Sequence, residues 1–534
     1  MSDPGARARD RDRDAATGAQ DPATPAGRWK RLRPGDLVAG ISVALVVIPQ
    51  GVAYAQLAGM PAVRGLYASA IPPLAAAPFS SSPYLQPGPT AVSALLTFGA
   101  LAPLAAVGSP EYVALGLGLA LIVGLVRVLV GLLRAGVIAY MLSQPLLLGF
   151  VPAAAILIIA SQLPIALGVT PGGEGILEDA ATALAHPGEW SGTVVALSLV
   201  TGALLLIGAR LHPLVPTILL VVVGGIVWSE LTDFDGATVG SISAGFPPFS
   251  LDLPWTDLPS LLVPGAVIAL LGFAEAAAIA RTYAALERSP WDADREFIGQ
   301  GMANVAAAVS GGFPVGSSFS RSAINRLAGA RTSFSAIVTG LVVLAFLPAA
   351  SVLEPLPQAI LAAVVIVAAA SLVRIAPLYR LWQLSRPQAL VALSTFGLTL
   401  ALAPHIERAV IVGIVLSVAV HLWRELRLEV PSWRENGTLH MRPRGVLYFG
   451  TEGRIQDAFL RLLAEHPDAT RLAVHLDGLG RIDLTGALAL RALLQDARVA
   501  GIEVEVLDVR PRWRGLVDRV IASEGDDPLG RWHA

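Results

Sequence analysis

Apolar stretches separated by short polar ones fill the chain from about residue 37 to residue 423. Most of them are long enough to cross the hydrocarbon core of a bilayer as a helix, which takes ~17–25 residues. Two weaker apolar segments, 296–311 and 317–328, complete the series. The pattern predicts a polytopic α-helical membrane protein with 14 transmembrane segments, the stronger ones near 37–58, 62–79, 89–106, 112–133, 142–168, 192–209, 214–229, 261–280, 333–350, 357–373, 387–403 and 408–423.

The charges between these segments predict how the chain is oriented. A basic cluster at residues 28–33 precedes the first segment, and an excess of Lys and Arg is typical of cytoplasmic flanks. Acidic residues gather in odd-numbered loops, whereas arginines gather in even-numbered ones. Two repeats of seven segments then enter the membrane from opposite sides, which is an inverted repeat. We assign the first repeat to residues 29–232 and the second to residues 258–428, with both termini cytoplasmic.

A polar break rich in glycine and proline interrupts each half of the apolar region, at residues 86–93 (QPGPTAVS) and 311–321 (GGFPVGSSFSR). Hydrocarbon cannot satisfy free backbone N–H groups, so irregular backbone at this depth has to line a protein cavity. A helix that begins at Ser317 or Ser318 would direct its free N–H groups and its positive dipole end into that cavity, which favours an anion. Paired breaks indicate a transporter's binding site, although two loops outside the membrane would also explain them.

The last hundred residues change character, because strand-like and helix-like runs alternate there. This alternation predicts a small α/β sandwich, which we place at residues 436–534. Asp483 is expected to cap the N-terminus of a helix in it. The domain follows an even number of segments, so we expect it to be cytoplasmic. Residues 1–28 mix Arg and Asp with Ala, Gly and Pro, which predicts a disordered tail.

Composition narrows the functional classes. The 534 residues are 54% hydrophobic and 15% charged, against ~45–50% and ~25% in soluble domains, so the lipid bilayer is the expected surrounding. The net charge of -2 gives no basic field for nucleic acid. The chain has no cysteine, and its eight histidines lack HxxxH or HExxH spacing, so we predict neither a metal nor any other cofactor. No hydrolase or kinase motif is present, and we expect no enzyme.

Residues 48–67 read IPQGVAYAQLAGMPAVRGLY, which resembles the sulfate permease (SulP) family, solute carrier family 26. Its signature is a PQGxAYA run followed by Gly-Leu-Tyr. The resemblance extends from about residue 29 to the C-terminal module, which is similar to the family's STAS domain. It implies a core domain that moves against a gate domain, homodimers, and an anion held between the N-termini of the third and tenth helices. Further matching runs are GPTAVS at 88–93, EFIGQGMAN at 296–304, SRS at 320–322 and GART at 329–332.

Two groups of residues are candidates for the substrate site. Gln50 and Tyr54 are four residues apart beside Pro49, so they share one helix face. The resemblance places them at the substrate, whereas hydrogen bonding between helices is the alternative. The residues that open the half-helices would contribute mainly backbone amides. These residues are Thr90, Ala91 and Val92 in the first half, and Phe319, Ser320 and Arg321 in the second.

Glu275 is the candidate for coupling transport to an ion gradient. It lies ten residues after Gly265, roughly 15 Å along a helix and near the middle of the membrane, where an ionisable residue is functional by default. Arg321 either supplies positive charge to the cavity or forms a structural ion pair with Glu275 or another acid. Sodium-dependent bicarbonate members of the resembled family carry an aspartate here and a threonine four residues later. This chain has Ile279 at that second position, which favours a proton over sodium.

These features predict a secondary anion transporter of the inner (plasma) membrane, coupled to protons and carrying a small oxyanion or dicarboxylate such as sulfate or fumarate. A sodium–bicarbonate symporter or an uncoupled anion exchanger would be an alternative. A membrane-anchored scaffold that signals through its STAS domain belongs to a different class, but it would have no reason to bury Glu275 and two helix breaks. Related STAS modules can be phosphorylated where Thr485 stands, and a cytoplasmic partner could bind there, although packing or helix capping explains this threonine more simply.

Overall fold

The computed structural model describes residues 32–138, 143–170, 175–211, 216–243, 245–250 and 253–521. The tail predicted at residues 1–28, the basic cluster apart from Leu32 and Arg33, and the end of the C-terminal domain lie outside these residues. The chain forms two compact units, which divide between Ile414 and Val415. Each unit is described by itself.

The first unit is built from helices, and every apolar segment predicted from the sequence contains one of them. They are α1 (Pro34–Leu57), α2 (Ala62–Ala76), α3 (Ala91–Leu101), α4 (Pro110–Leu132), α5 (Gln144–Leu167), α6 (Ile176–Ala185), α7 (Gly192–Leu211), α8 (Thr217–Leu231), α9 (Leu258–Leu286), α10 (Ala293–Val309), α11 (Phe319–Leu327), α12 (Phe334–Phe346), α13 (Gln358–Ala370), α14 (Ala376–Leu384), α15 (Arg386–Ala401) and α16 (Ile406–Glu425), the last of which crosses the unit boundary.

Seven helical stretches among the described residues are long and apolar enough to cross a membrane: α1, α4, α5, α7, α9, α16 and the stretch Phe334–Leu353, in which a 3-10 turn continues α12. Three shorter apolar helices, α3, α8 and α13, accompany them. The half-helix α11 and the helix α10 contain more polar residues and match the two weaker segments of the sequence. The short helices α6 and α14 were not predicted, because their apolar residues occupy only one face.

The helices of the first unit pack as two groups. The first helix group comprises α1–α4 and α9–α12, and the second comprises α5, α7, α8, α13 and α15. Small residues allow close backbone approach within each group, as is common between membrane helices. A Cβ at Gly124 of α4 would lie 2.7 Å from the Val305 nitrogen of α10, and a Cβ at Gly149 of α5 would lie 2.1 Å from the Ala392 oxygen of α15. These glycines fix the position of α4 and α5 in their groups.

The two polar breaks meet inside the first unit as a short antiparallel ribbon. Strand β1 (Pro87–Gly88) pairs with β2 (Gly316–Ser317), so that Pro87 lies opposite Ser317 and Gly88 opposite Gly316. The half-helices α3 and α11 begin within three residues of these strands. The ribbon therefore gives part of each break a backbone partner within the protein, as buried irregular backbone requires.

The second unit is an α/β domain, as the sequence predicted. Four strands lie in the order β3 (Ser432–Glu435), β4 (Thr438–Met441), β6 (Arg471–His475) and β8 (Glu503–Leu507), and only the first pair is antiparallel. Strands β5 (Gly445–Leu447) and β7 (Leu479–Ile482) form a separate parallel pair. The domain also contains α17 (Glu452–Glu465), α18 (Leu484–Val499) and α19 (Pro511–Val520). Its apolar core includes Leu439, Leu472, Phe459, Leu490 and Val517.

Asp483 caps α18 as predicted, because its Oδ1 accepts a hydrogen bond of 2.8 Å from the Gly486 amide. The simpler explanation of Thr485 is wrong. Its side chain is exposed in the first turn of α18, so it neither packs in the core nor provides the cap. A role for Thr485 as a modified residue stays a prediction.

The ends of three neighbouring strands are tied together in this domain. Arg442 follows β4 and forms an ion pair with Asp477, which follows β6. Arg442 Nε lies 2.9 Å from one carboxylate oxygen of Asp477. Arg510, which follows β8, donates to the Asp477 carbonyl. The hydrogen bonds from Arg442 lower the pKa of the Asp477 carboxyl below its ordinary value.

Candidate functional site

A cavity of about 500 Å³ lies in the first unit where the two polar breaks meet. Its walls come from both helix groups. The first helix group contributes Val46, Gln50, Tyr54, Thr90, Ala91, Val92, Glu275, Ser318, Phe319, Ser320, Ala323, Ile324 and Leu327. The second helix group contributes Leu205, Gly208, Ala209, Pro216, Thr217, Ile218, Val364, Val367, Ala368, Ser371 and Leu372. The structure thus brings together eight of the nine membrane residues that the sequence predicted for the site.

Two helix N-termini open onto this cavity. Thr90 is the N-cap of α3, and its Oγ1 accepts a hydrogen bond of 3.1 Å from the Ser93 amide. Ser318 is the N-cap of α11 but makes no capping hydrogen bond with its side chain. The first amides of a helix have no partner within it, and here they face a space lined by Ala91 and Ser320. Both N-termini therefore offer donors and a positive dipole end to an anion in the cavity.

Three polar side chains of the first helix group face the cavity without a protein partner. Gln50 and Tyr54 lie one turn apart on α1, and Glu275 lies on α9. Within the described parts of the chain, none of the three makes a hydrogen bond or an ion pair. The alternative of a hydrogen bond between helices is therefore not what the structure shows for Gln50 and Tyr54. Their polar atoms remain available to a substrate, and the Glu275 carboxylate remains available to a cation.

Arg321 lies behind the cavity and does not line it. Its side chain is fully buried, and its guanidinium donates to the Pro89 carbonyl at 2.5 Å and to the Gln86 carbonyl at 3.5 Å. No ion pair joins Arg321 to Glu275 within the described residues. The structure places the guanidinium on backbone carbonyls of the first break and not on Glu275. A supply of positive charge from Arg321 to the cavity stays a prediction.

Sequence reasoning missed the wall formed by the second helix group. That wall is apolar apart from Thr217 and Ser371, and apolar residues in a membrane helix give no signal that separates a cavity wall from a lipid-facing surface. It also missed Asp36, whose Oδ1 accepts from the amides of Arg331 and Thr332 at 2.7 and 2.9 Å. The match at residues 329–332 pointed to that loop, but its partner on α1 is 295 positions away in the sequence.

Comparison with known proteins agrees with this architecture. A protein named "Probable sulfate transporter" from Mycobacterium tuberculosis (strain CDC 1551 / Oshkosh) is 35% identical over 412 residues, which cover 75% of this chain and 71% of that protein. The chloroplastic sulfate transporter 4.1 of Arabidopsis thaliana is 28% identical over 532 residues, covering 90% of this chain and 76% of that protein. Both relatives are named transporters and not enzymes, which agrees with the expectation from the sequence.

Solved structures show the same fold. The murine solute carrier 26 family member A9 anion transporter, in an inward-facing state, matches with a TM-score of 0.83 and 21% identity, over 96% of this chain and 93% of that chain. The transmembrane domain of the cyanobacterial bicarbonate transporter BicA matches with a TM-score of 0.61 and 24% identity, over 72% of this chain and 97% of that one.

Two family models match the chain itself, and they confirm the resemblance seen in its motifs. The model of the sulfate permease family matches residues 34–395, and the model of the STAS domain matches residues 433–525. The first match covers both breaks and every residue of the cavity. The chain therefore belongs to the sulfate permease family and carries a STAS domain after its membrane unit.

Proposed function

We propose that this protein is a secondary active transporter that carries a small oxyanion of the sulfate class, or a dicarboxylate, together with protons by alternating access. The observation that carries the proposal is the cavity onto which two helix N-termini open beside an unpaired carboxylate. An anchor for a signalling domain needs no such cavity. The naming of the mycobacterial relative as a sulfate transporter supports sulfate as the first substrate to test.

Recognition of the anion rests on backbone amides and on two neutral side chains, Gln50 and Tyr54. Amides at a helix N-terminus respond to negative charge and to hydrogen-bond acceptors, so they favour compact oxyanions over neutral solutes. The small residues Ala91 and Ser320 let the anion approach these amides. Arg321 adds positive charge from behind the first break while its guanidinium holds two carbonyls of that break.

We infer that the coupling ion is a proton, because a single residue of the cavity is enough to bind it. Among the described residues that line it, Glu275 is the only one with a carboxylate, and Ile279 on the same helix is fully buried and supplies no side-chain oxygen. A hard cation such as sodium needs several oxygen ligands, whereas a proton needs one carboxylate oxygen. Protonation of Glu275 also removes a negative charge that repels the substrate. Proton and anion would therefore bind together.

The two helix groups provide the moving parts. Among the described residues that line the cavity, the ionisable ones belong to the first helix group, while those of the second are apolar apart from Thr217 and Ser371. Movement of one group past the other would carry the bound anion between the two sides of the membrane. We assign the first helix group to the core domain and the second to the gate domain, and the 14 segments to a 7+7 inverted repeat. We also propose that the protein is a homodimer of the inner membrane. Both termini and the STAS domain would lie in the cytoplasm. The meeting of both breaks in one ribbon supports the inverted repeat.

The test is uptake by the purified full-length protein in liposomes. A panel of sulfate, fumarate, bicarbonate and chloride is supplied under an inward proton gradient or an inward sodium gradient, each applied alone. We expect accumulation of sulfate or a dicarboxylate that follows the proton gradient. Accumulation driven by sodium at constant pH would favour the sodium–bicarbonate alternative, and exchange without accumulation would favour an uncoupled exchanger.

Glu275→Gln tests the coupling residue directly. The amide keeps the size of the side chain but cannot take up a proton, so we expect proton-driven accumulation to disappear while slow anion exchange remains. Glu111→Gln is a matched control, since Glu111 lies in the first turn of α4 and does not line the cavity. Proton-driven accumulation that persists in Glu275→Gln would overturn the assignment.

A further inference from the structure

Arg127 of α4 lies fully buried against two elements that form the site. Its Nε donates to the Ala269 carbonyl at 3.0 Å, and its Nη2 donates to the Ile268 carbonyl at 3.3 Å, both on α9. Its Nη1 donates to the Val315 carbonyl at 3.1 Å, in the second break. No carboxylate pairs with Arg127 within the part of the chain that the structure describes. One side chain thus joins the helix that carries Glu275 to the segment that leads into α11.

Val315 is the point at which the second break is held. Its carbonyl accepts from Arg127 and also from the side-chain amide of Asn304 at 3.1 Å. Its own amide donates to Asn304 Oδ1 at 2.9 Å. Both backbone polar groups of Val315 are therefore bound by side chains of α4 and α10. Since only two residues separate Val315 from the N-cap Ser318, these bonds set where the N-terminus of α11 lies.

The contact with α9 lies close to Glu275. Ala269 precedes Glu275 by six residues, roughly 9 Å along a helix. Gly272 lies between them and leaves room for the guanidinium, because a Cβ at that position would lie 2.5 Å from Arg127 Nη2. A displacement of Arg127 would change the distance between the carboxylate and the second helix N-terminus.

Stability alone does not explain an arginine at this position. A buried cation without an anionic partner loses its hydration, and apolar side chains of similar volume are often at least as stable in its place. Leucine or methionine would suit a helix of the membrane unit better unless the charge and its three hydrogen bonds serve the site. The carbonyls that Arg127 binds belong to the two elements whose separation matters for anion and proton binding.

We propose that Arg127 is a positioning residue for substrate binding, which fixes the N-terminus of α11 relative to Glu275. The inference rests on the proposed function and adds to it a residue that does not touch the anion. Removal of the three hydrogen bonds leaves Val315 held by Asn304 alone and separates it from α9, so the amides that bind the anion shift relative to Glu275. Substrate affinity then falls, whereas a purely structural role would reduce the amount of active protein and leave the affinity unchanged.

The experiment measures sulfate uptake by the full-length protein in liposomes, together with the sulfate-induced rise in its unfolding temperature. We expect Arg127→Gln to raise the apparent KM about tenfold, the loss expected for hydrogen bonds from a charged donor. Arg127→Lys keeps the charge and some hydrogen bonds, so it should restore part of the affinity. Arg295→Gln is the matched control, because that guanidinium also donates to two carbonyls, Phe79 and Pro78, but within the described residues makes no hydrogen bond to α9 or the second break.

Gly272→Ala provides a second test that does not depend on the folding of Arg127→Gln. The added methyl group pushes on Nη2, so we expect a higher KM in the wild-type background and no further change in Arg127→Gln, as for coupled neighbours. Additive effects, or an unchanged KM in Arg127→Gln and Gly272→Ala, would overturn the inference alone. Wild-type protein that neither binds nor transports any anion of the panel would overturn the proposed function and this inference together.

Discussion

At the scale of single residues, Ser320 is the position where the cavity is most sensitive to size. Its side chain is exposed to the cavity in the first turn of α11, beside the amides that would bind the anion. Because a serine there leaves the amides accessible, a larger side chain should close the site without disturbing the contacts of Arg321, whose side chain is buried away from the cavity.

We therefore expect Ser320→Trp to fold and to lose transport by more than about tenfold, since an indole cannot share this space with an anion without displacing it. Ser260→Trp is a control, because Ser260 is exposed at the start of α9 and lies away from the cavity. Size-exclusion chromatography checks folding, and liposome uptake checks activity. Normal uptake by Ser320→Trp would contradict the placement of the site.

The sequence predicted those cavity residues whose polar side chains interrupt an apolar segment. Gln50, Tyr54 and Glu275 stand out because each is polar within a long apolar helix. The partner of the Arg321 side chain could not be predicted. Whether it faces the cavity, a carboxylate or a backbone carbonyl depends on residues more than 200 positions away in the sequence. Arg127 gave no signal, because a single arginine five positions before the end of α4 resembles a side chain that reaches toward the membrane surface.

At the scale of elements, the sequence indicated both helix breaks and both half-helices, but not the ribbon that joins them. Each strand of the ribbon has two residues, too few for an alternating pattern, and its partner lies in the other half of the chain. Gly316 shows why its pairing is specific. A Cβ there would lie 3.2 Å from Ser93 Oγ, so the second break approaches α3 closely.

In the STAS domain, the ion pair between Arg442 and Asp477 predicts how stability depends on pH. Folding lowers the pKa of the Asp477 carboxyl because Arg442 donates to it. A carboxyl of this kind stabilises the fold above the pKa of the unfolded chain, and the contribution is lost as the pH falls through the folded-state pKa. We therefore expect Arg442→Met to return the pKa of Asp477 toward its ordinary value and to reduce stability at pH 7 more than at pH 2.

Carboxyl-carbon NMR titration of the STAS domain measures the first effect, and urea unfolding at the two pH values measures the second. Arg471→Met is a suitable control, because Arg471 forms a more exposed pair with Glu503 on β8. An Asp477 titration curve that does not move in Arg442→Met would contradict the assignment of the shift to this pair.

At the scale of the whole molecule, all cavity residues lie in the first unit, before the division between Ile414 and Val415. The alternation of strand-like and helix-like runs was enough to predict that a separate α/β domain follows the helices. The assignment of helices to two groups could not be read from the sequence, because it depends on which apolar faces pack together. Glycine contacts such as those at Gly124 and Gly149 decide that packing.

We expect deletion of the STAS domain from about residue 436 to reduce the transport rate or the amount of protein but to preserve the order of preference among anions. The cavity and the charged groups described around it all lie before that domain. Uptake of the anion panel by truncated and full-length protein, normalised to the amount in the liposomes, makes the comparison. A changed order of preference in the truncated protein would show that the STAS domain takes part in selection.

The polar and apolar walls of the cavity differ in how their substitution would affect the choice of anion in related transporters. In the proposed function, the first helix group supplies the groups that bind charge, whereas Leu205, Val364 and Val367 of the second helix group are apolar residues that bound the same cavity. Exchange of one aliphatic residue for another at these three positions would change the size of the anion that fits. The charge that the anion must carry would stay the same. Related transporters would thus change from a tetrahedral anion to a planar or an elongated one through substitutions between similar aliphatic residues.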